Sequence, residues 1–220
     1  MLHYAGPISL RLGTPRSRTI TNVYIAIIFC FVTKAVHIEV VTSLPTEAFL
    51  AALRHFIARR GKQRTICSDT VTKYQGAANE LHAIYKIFQT TSQMATVHEF
   101  LPTQGFEWKF IPTHGTHFGG LWEAAVNSMK YLLRRTLDSQ VATFKELCTL
   151  LAEIEASLIS SPFCALNDDS FTPNYLSSVH FTIGESVTQL LAAEFTHVKC
   201  NRRSSSQIYQ QKLQQFLQRW

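Results

Sequence analysis

The sequence predicts an α/β domain, a five-stranded mixed sheet flanked by helices, and three observations carry that expectation. Short runs rich in β-branched and aromatic residues alternate with segments whose apolar residues recur at helical spacing. Glycines such as Gly61, Gly115, Gly119 and Gly120 fall at the joints between these segments. Hydrophobic side chains make up 46% of the 220 residues and charged ones 16%, enough for one sizeable core, with no compositional break that forces a second.

The elements follow in order. Ile8–Leu12 is a short first strand. Thr19–Thr33 and Ala35–Thr42 are β-rich and meet at the polar Thr33-Lys34 junction, so they read as a hairpin whose first strand, apolar on both faces, is central. Pro45-Thr46-Glu47 opens a helix with Thr46 as N-cap. Phe49, Leu53, Phe56 and Ile57 line one face of it and Gly61 ends it. Arg64–Ser68 is a fourth strand, closing on Asp69. A helical stretch, Ala77–Phe88, precedes Phe106–Ile111, whose alternation marks a fifth strand. After the loop PTHGTHFGG come helices over Leu121–Leu137 and Thr143–Ser160. The order β-β-β-α-β-α-β-α-α on a mixed sheet is that of the ribonuclease H-like fold. Near the end, Tyr209, Leu213, Phe216 and Leu217 form a further helical apolar stripe, expected to cover part of the core.

Lys and Arg outnumber Asp and Glu by 21 to 15, a formal charge of +6 that favours an anionic partner. The five cysteines fall at no metal-ligand spacing and read as reduced intracellular thiols. The most apolar segment, Val23–Val32, is about half of the roughly 20 residues a membrane span needs. No basic-then-apolar leader opens the chain. The expectation is a soluble, intracellular, unsecreted protein without a membrane partner.

In a mixed α/β sheet, chemistry gathers at strand ends and helix starts. Asp69 stands at one such end and Glu123 at another, in the first turn of the long helix. Singly, each reads equally as a turn cap or a complement to a helix N-terminus. Glu123, Asn127, Lys130 and Arg134, however, fall at i, i+4, i+7 and i+11, opposite Leu121, Ala125, Met129 and Leu132. A carboxylate followed by an amide and two cations suits a metal-bound phosphodiester with its backbone along the helix; a solvated face has the same spacing. Lys73, after Asp69, is a further candidate for phosphate contact. His114 and His117 lie three apart, but without Cys or a third nearby His they read as loop residues rather than a zinc site.

Tyr4-Ala5-Gly6-Pro7, Lys34-Ala35-Val36-His37, the stretch Thr46–Arg54, Ser68-Asp69 and above all His117-Phe118-Gly119-Gly120-Leu121-Trp122-Glu123-Ala124-Ala125-Val126 resemble the integrase core of BEL/Pao-type LTR retrotransposons. The resemblance runs from about His3 to Gly184. It implies a catalytic-core-like domain over residues 1–184 and a C-terminal extension over 185–220. It also implies a ribonuclease H-like fold, DNA as partner, a second copy of the chain as a further candidate partner, and nuclear location for a working protein. Such integrases use three carboxylates holding two Mg²⁺ or Mn²⁺ ions to trim DNA ends and join them to target DNA. Asp69 matches the second acid and Glu123 the third, so these are the implied catalytic and metal-binding residues, with Asn127, Lys130, Arg134 and Lys73 along the DNA.

The departures from that pattern bear on activity. The first acid's position holds His3, and neutral imidazole lacks the charge and oxygen that Mg²⁺ prefers. Thr70-Val71 stands where the family reads Asn-Gly after the second acid. Only Met1 and Leu2 precede His3, so the first strand is expected to be short at its start. The resemblance therefore implies descent from a polynucleotidyl transferase with weak or absent catalysis. An active strand transferase and a non-catalytic interaction module are the alternatives.

Overall fold

The structure, a computed structural model, describes residues 1–13, 17–42, 46–69, 107–111, 120–137, 140–166, 175–184 and 205–217. Its strands are β1 (Leu2–Arg11), β2 (Ile20–Phe29), β3 (Val36–Val41), β4 (Thr65–Asp69), β5 (Glu107–Ile111), β6 (Pro162–Ala165) and β7 (Tyr175–Ser177). Four α-helices are described: α1 (Thr46–Arg60), α2 (Gly120–Leu137), α3 (Phe144–Ile159) and α4 (Ser205–Leu217). A 3₁₀ turn, Ser178–Phe181, follows β7.

β1, β2 and β3 form an antiparallel sheet held by two tight connections. The Met1 ammonium donates to the Phe29 carbonyl (2.6 Å), and the Phe29 N–H donates to the Met1 carbonyl (2.7 Å). At the other end of the pair the Leu12 N–H donates to the Thr19 carbonyl (2.9 Å). The β2–β3 turn closes through the Cys30 N–H and the Ala35 carbonyl at 2.9 Å, with Lys34 in the left-handed region at φ 55°. β1 also needs Gly6: its φ is +137°, and a Cβ there would stand 3.0 Å from the Tyr24 ring and 3.1 Å from the Val23 carbonyl of β2.

β4 and β5 pair in parallel from Thr65↔Glu107 to Asp69↔Ile111, and the strand order is β3-β2-β1-β4-β5. This corrects the architecture expected from the sequence, the single five-stranded mixed sheet of a ribonuclease H-like fold. The chain builds a three-stranded antiparallel sheet that the parallel pair meets at one described position, Leu2↔Ser68, and a separate two-stranded sheet, β6–β7. β6 and β7 pair antiparallel with an irregularity between Pro162 and Cys164, and every β6 residue is exposed.

The described chain forms two compact units. One comprises Met1–Ile8, Asn22–Phe29 and His37–Val126. Its buried side chains include Val23, Ile25, Ile27, Ile38, Leu53, Phe56, Ile66, Trp122 and Val126. The other comprises Ser9–Thr21, Cys30–Val36 and Asn127–Trp220. Met129, Leu132, Leu147, Leu150, Ile154, Val179, Tyr209 and Leu213 are buried there. Thr143 starts α3 with a reciprocal cap: the Glu146 N–H donates to Thr143 Oγ1 (3.4 Å), and the Thr143 N–H donates to Glu146 Oε2 (2.9 Å). α4 packs on α3, where Gln210 Nε2 donates to Glu153 Oε1 at 3.1 Å. Burial raises the Glu153 carboxyl pKa against that hydrogen bond.

α1 is tied to β3 by one carboxylate. Glu39 accepts from Arg59 (3.2 Å) and bonds His55 Nδ1 (3.0 Å), while His37 Nε2 lies 3.6 Å away with its ring against Phe56. Burial raises the Glu39 pKa, but hydrogen bonds from His37 and His55 and the charge of Arg59 outweigh it, lowering the group from 4.5 to about 2. The unfolded chain takes up this proton more readily than the folded one. The stabilisation is therefore complete above about pH 4.5 and lost as pH falls toward about 2, on the order of 3 kcal/mol in all. Urea midpoints of wild type and Glu39→Gln should converge across that window, wild type being the more stable at neutral pH. Parallel acid profiles would show that Glu39 contributes no such linkage.

Candidate nucleic-acid interface

β4 carries Asp69 as its last residue, opposite Ile111 of the neighbouring parallel strand. His3 lies in β1 and is buried, 6% exposed. His3 and Asp69 are the residues that follow the paired Leu2 and Ser68 on these adjacent strands.

Glu123 sits exposed in the first turn of α2, while its neighbour Trp122 is 3% exposed. Trp122 packs the helix start inward, which directs the following residue to solvent; the indole serves packing. Down α2, Asn127 and Arg134 are exposed and Lys130 is half-buried. The opposite face buries Val126, Met129, Leu132 and Leu133. Ala125, assigned to the apolar face by spacing, is only half-buried.

Burial lowers the Lys130 pKa, and the positive charge of Arg134 one turn on lowers it further. Two cations at i and i+4 repel each other, and an anion lying between them relieves that repulsion. Arg135 is engaged differently, with its guanidinium over the Tyr131 ring at 5.4 Å. Lys73, the Thr70-Val71 turn, the helical stretch Ala77–Phe88 and the pair His114 and His117 lie outside the described residues.

The donor set does not fit two Mg²⁺ ions. Hard divalent cations take oxygen ligands, and a pair of them held close together needs several carboxylate oxygens. His3 offers a buried nitrogen at the position where the sequence resemblance implies a carboxylate. Among the described residues, no group of three or more His, Cys, Asp or Glu side chains could hold a metal ion.

The sequence reading missed the cluster of Glu39, His55 and Arg59. Its members come from a strand and a helix, 16 and 20 residues apart, and no motif spacing announces them. No helix among the described residues is long and apolar enough to cross a membrane.

No protein-family model matches the chain, and no curated protein matches it. Among solved structures it is similar to a chain of the simian T-cell lymphotropic virus intasome in complex with PP2A regulatory subunit B56 gamma, determined by cryo-electron microscopy. The identity is 11% and the TM-score 0.47, over 86% of this chain and 60% of that one. This chain therefore spans less than two thirds of the length of the chain it resembles.

Proposed function

We propose that the chain is an integrase-derived module that binds the DNA backbone and has lost metal-dependent polynucleotidyl transfer. The observation that carries this reading is the pairing Leu2↔Ser68, one residue before His3 on one strand and before Asp69 on its neighbour. The sequence resemblance to BEL/Pao-type integrase cores implies two acids on neighbouring strands at those positions. Here one of the two is an imidazole, which lacks the charge and oxygen that Mg²⁺ takes as ligand. Asp69 and Glu123 are the residual acids of that site. The exposed stripe Asn127, Lys130 and Arg134 supports backbone binding, with Lys73 as a further contact. Nuclear location and self-association belong to the same reading.

Contacts of this kind go to phosphates, so affinity should depend little on base sequence and fall steeply with salt as counterions are released. Replacing Lys130 and Arg134 together by Ala should flatten a plot of log affinity against log salt by about two units, roughly one for each phosphate contact. Fluorescence anisotropy with duplexes of unrelated sequence measures this directly. Unchanged affinity and slope in the double variant would return the α2 stripe to ordinary solvation.

A further inference from the structure

One acid-free run of positive charge that the α2 stripe does not include lies over α1 and the turn after it, and residues 195–220 carry another of equal charge. Between Glu47 and Asp69 there is no Asp or Glu, while Arg54, Arg59, Arg60, Lys62 and Arg64 contribute +5, against +6 for the whole chain. Arg59 is engaged with Glu39, and cations in the last turn of α1 complement the helix dipole. Lys62 and Arg64 lie beyond the helix, where neither explanation applies.

Their turn is anchored through its backbone. Gly61, at φ +77°, ends α1 with its N–H donating to the Ile57 carbonyl (2.8 Å). Half-buried Gln63 folds back, its Nε2 donating to the carbonyls of Arg60 (3.4 Å) and Gly61 (3.5 Å). The Arg64 carbonyl accepts from the Glu107 N–H at 3.0 Å, fixing the exit into β4. Lys62 and Arg64 on either side of Gln63 are exposed. Among the described residues, Glu107 is the acid that follows this exit across the strand pair, and it pairs with Lys109 at 3.2 Å. The Cα atoms of Lys62 and Arg64 are at most about 7 Å apart, so their long side chains can meet neighbouring phosphates of one strand.

We infer that the turn Gly61–Arg64 is a second phosphate-backbone contact for duplex DNA, carried by Lys62 and Arg64 at the end of β4 remote from Asp69. It rests on the reading of the chain as a DNA-backbone binder. Arg64 stands about 16 Å along the strand from Asp69, so one duplex longer than that distance can reach both levels of β4. Single-stranded nucleic acid is disfavoured, because no exposed Phe, Tyr or Trp lies between Leu50 and Cys67 to stack a base. A membrane surface is disfavoured for a related reason: no exposed large apolar side chain lies in this segment to enter the lipid.

The test is anisotropy of the full chain with a labelled duplex of about 20 base pairs, titrated between roughly 50 and 200 mM salt. Wild type is compared with Lys62→Ala/Arg64→Ala and with Lys130→Ala/Arg134→Ala. The turn variant should bind about tenfold more weakly and lose about two units of salt slope, at an unchanged melting temperature. Normal binding by the turn variant together with weakened binding by the α2 variant would overturn the inference and leave the proposed function standing. The reverse pattern would keep the turn as the contact and remove the α2 stripe. Absence of duplex binding by wild type would overturn both. If the turn variant instead loses retention on phosphatidylserine vesicles while keeping duplex affinity, the contact is a lipid surface and the inference is wrong.

Discussion

Leu147→Ala and Ile154→Ala should each cost about 3–5 kcal/mol of stability, the largest loss expected from any single truncation on α3. Both side chains are 0% exposed, and Leu150 and Leu151 between them are each 2% exposed. α3 is thus committed to the interior along most of its length, and a cavity left there has little room to collapse. Its start is fixed by the Thr143 and Glu146 cap and its flank by α4. Urea unfolding should show a lower midpoint with an unchanged m-value, while a change at exposed Ala152, such as Ala152→Ser, should stay within about 0.5 kcal/mol. A loss below about 1 kcal/mol at both core positions would mean that α3 is not the spine of its unit.

Local signals made part of this fold legible. α1, α2 and α3 match the sequence reading to within a residue or two at their described ends, because each couples an apolar period to a stop or start: Gly61, the glycines before Leu121, and Thr143. β2 and β3 were readable as a hairpin from the polar Thr33-Lys34 junction, where Lys34 takes up the left-handed turn. Non-local features were not legible. β1 begins at Leu2 rather than Ile8, its early part hidden by His3, Gly6 and Pro7, which do not read as strand formers even though His3 is buried. β6 and β7 run for four and three residues, too short for a period of two to stand out. The expected five-stranded mixed sheet failed because register between strands far apart in sequence is not written in local pattern: among the described positions β4 meets β1 at Ser68, near the end of β4 and the start of β1. At the candidate site, Asp69 and Glu123 were found at the strand end and helix start where the sequence put them. The salt-bridged Glu39 and the anchored turn at Gln63 depend on three-dimensional partners and needed the structure.

The unmodified chain should show no Mg²⁺-dependent nicking or strand transfer, and His3→Asp is the substitution that tests why. Two carboxylates and one imidazole do not supply the oxygen ligands that a close pair of hard cations demands. An Asp at position 3 restores that chemistry beside Asp69, but it also buries a carboxylate, since the native side chain is 6% exposed. Without a cation such a group resists ionisation and weakens the fold. The His3→Asp chain should therefore melt lower than wild type in chelator and regain stability as Mg²⁺ is added, whereas wild type should be indifferent to the metal. That thermal readout reports ligand chemistry even if activity does not return. Transfer of a labelled DNA 3′ end is the second readout. It is expected to need Thr70→Asn and Val71→Gly as well, because β-branched Val71 stands where the integrase cores that the sequence resembles carry a glycine. Glu123→Ala serves as the control in each background. If the unmodified chain joins DNA ends in Mg²⁺ and Glu123→Ala abolishes the reaction, loss of catalysis at His3 is refuted and the imidazole is a working ligand. If His3→Asp gains no Mg²⁺-dependent stability, position 3 and Asp69 do not share a metal site, whatever their register along the two strands.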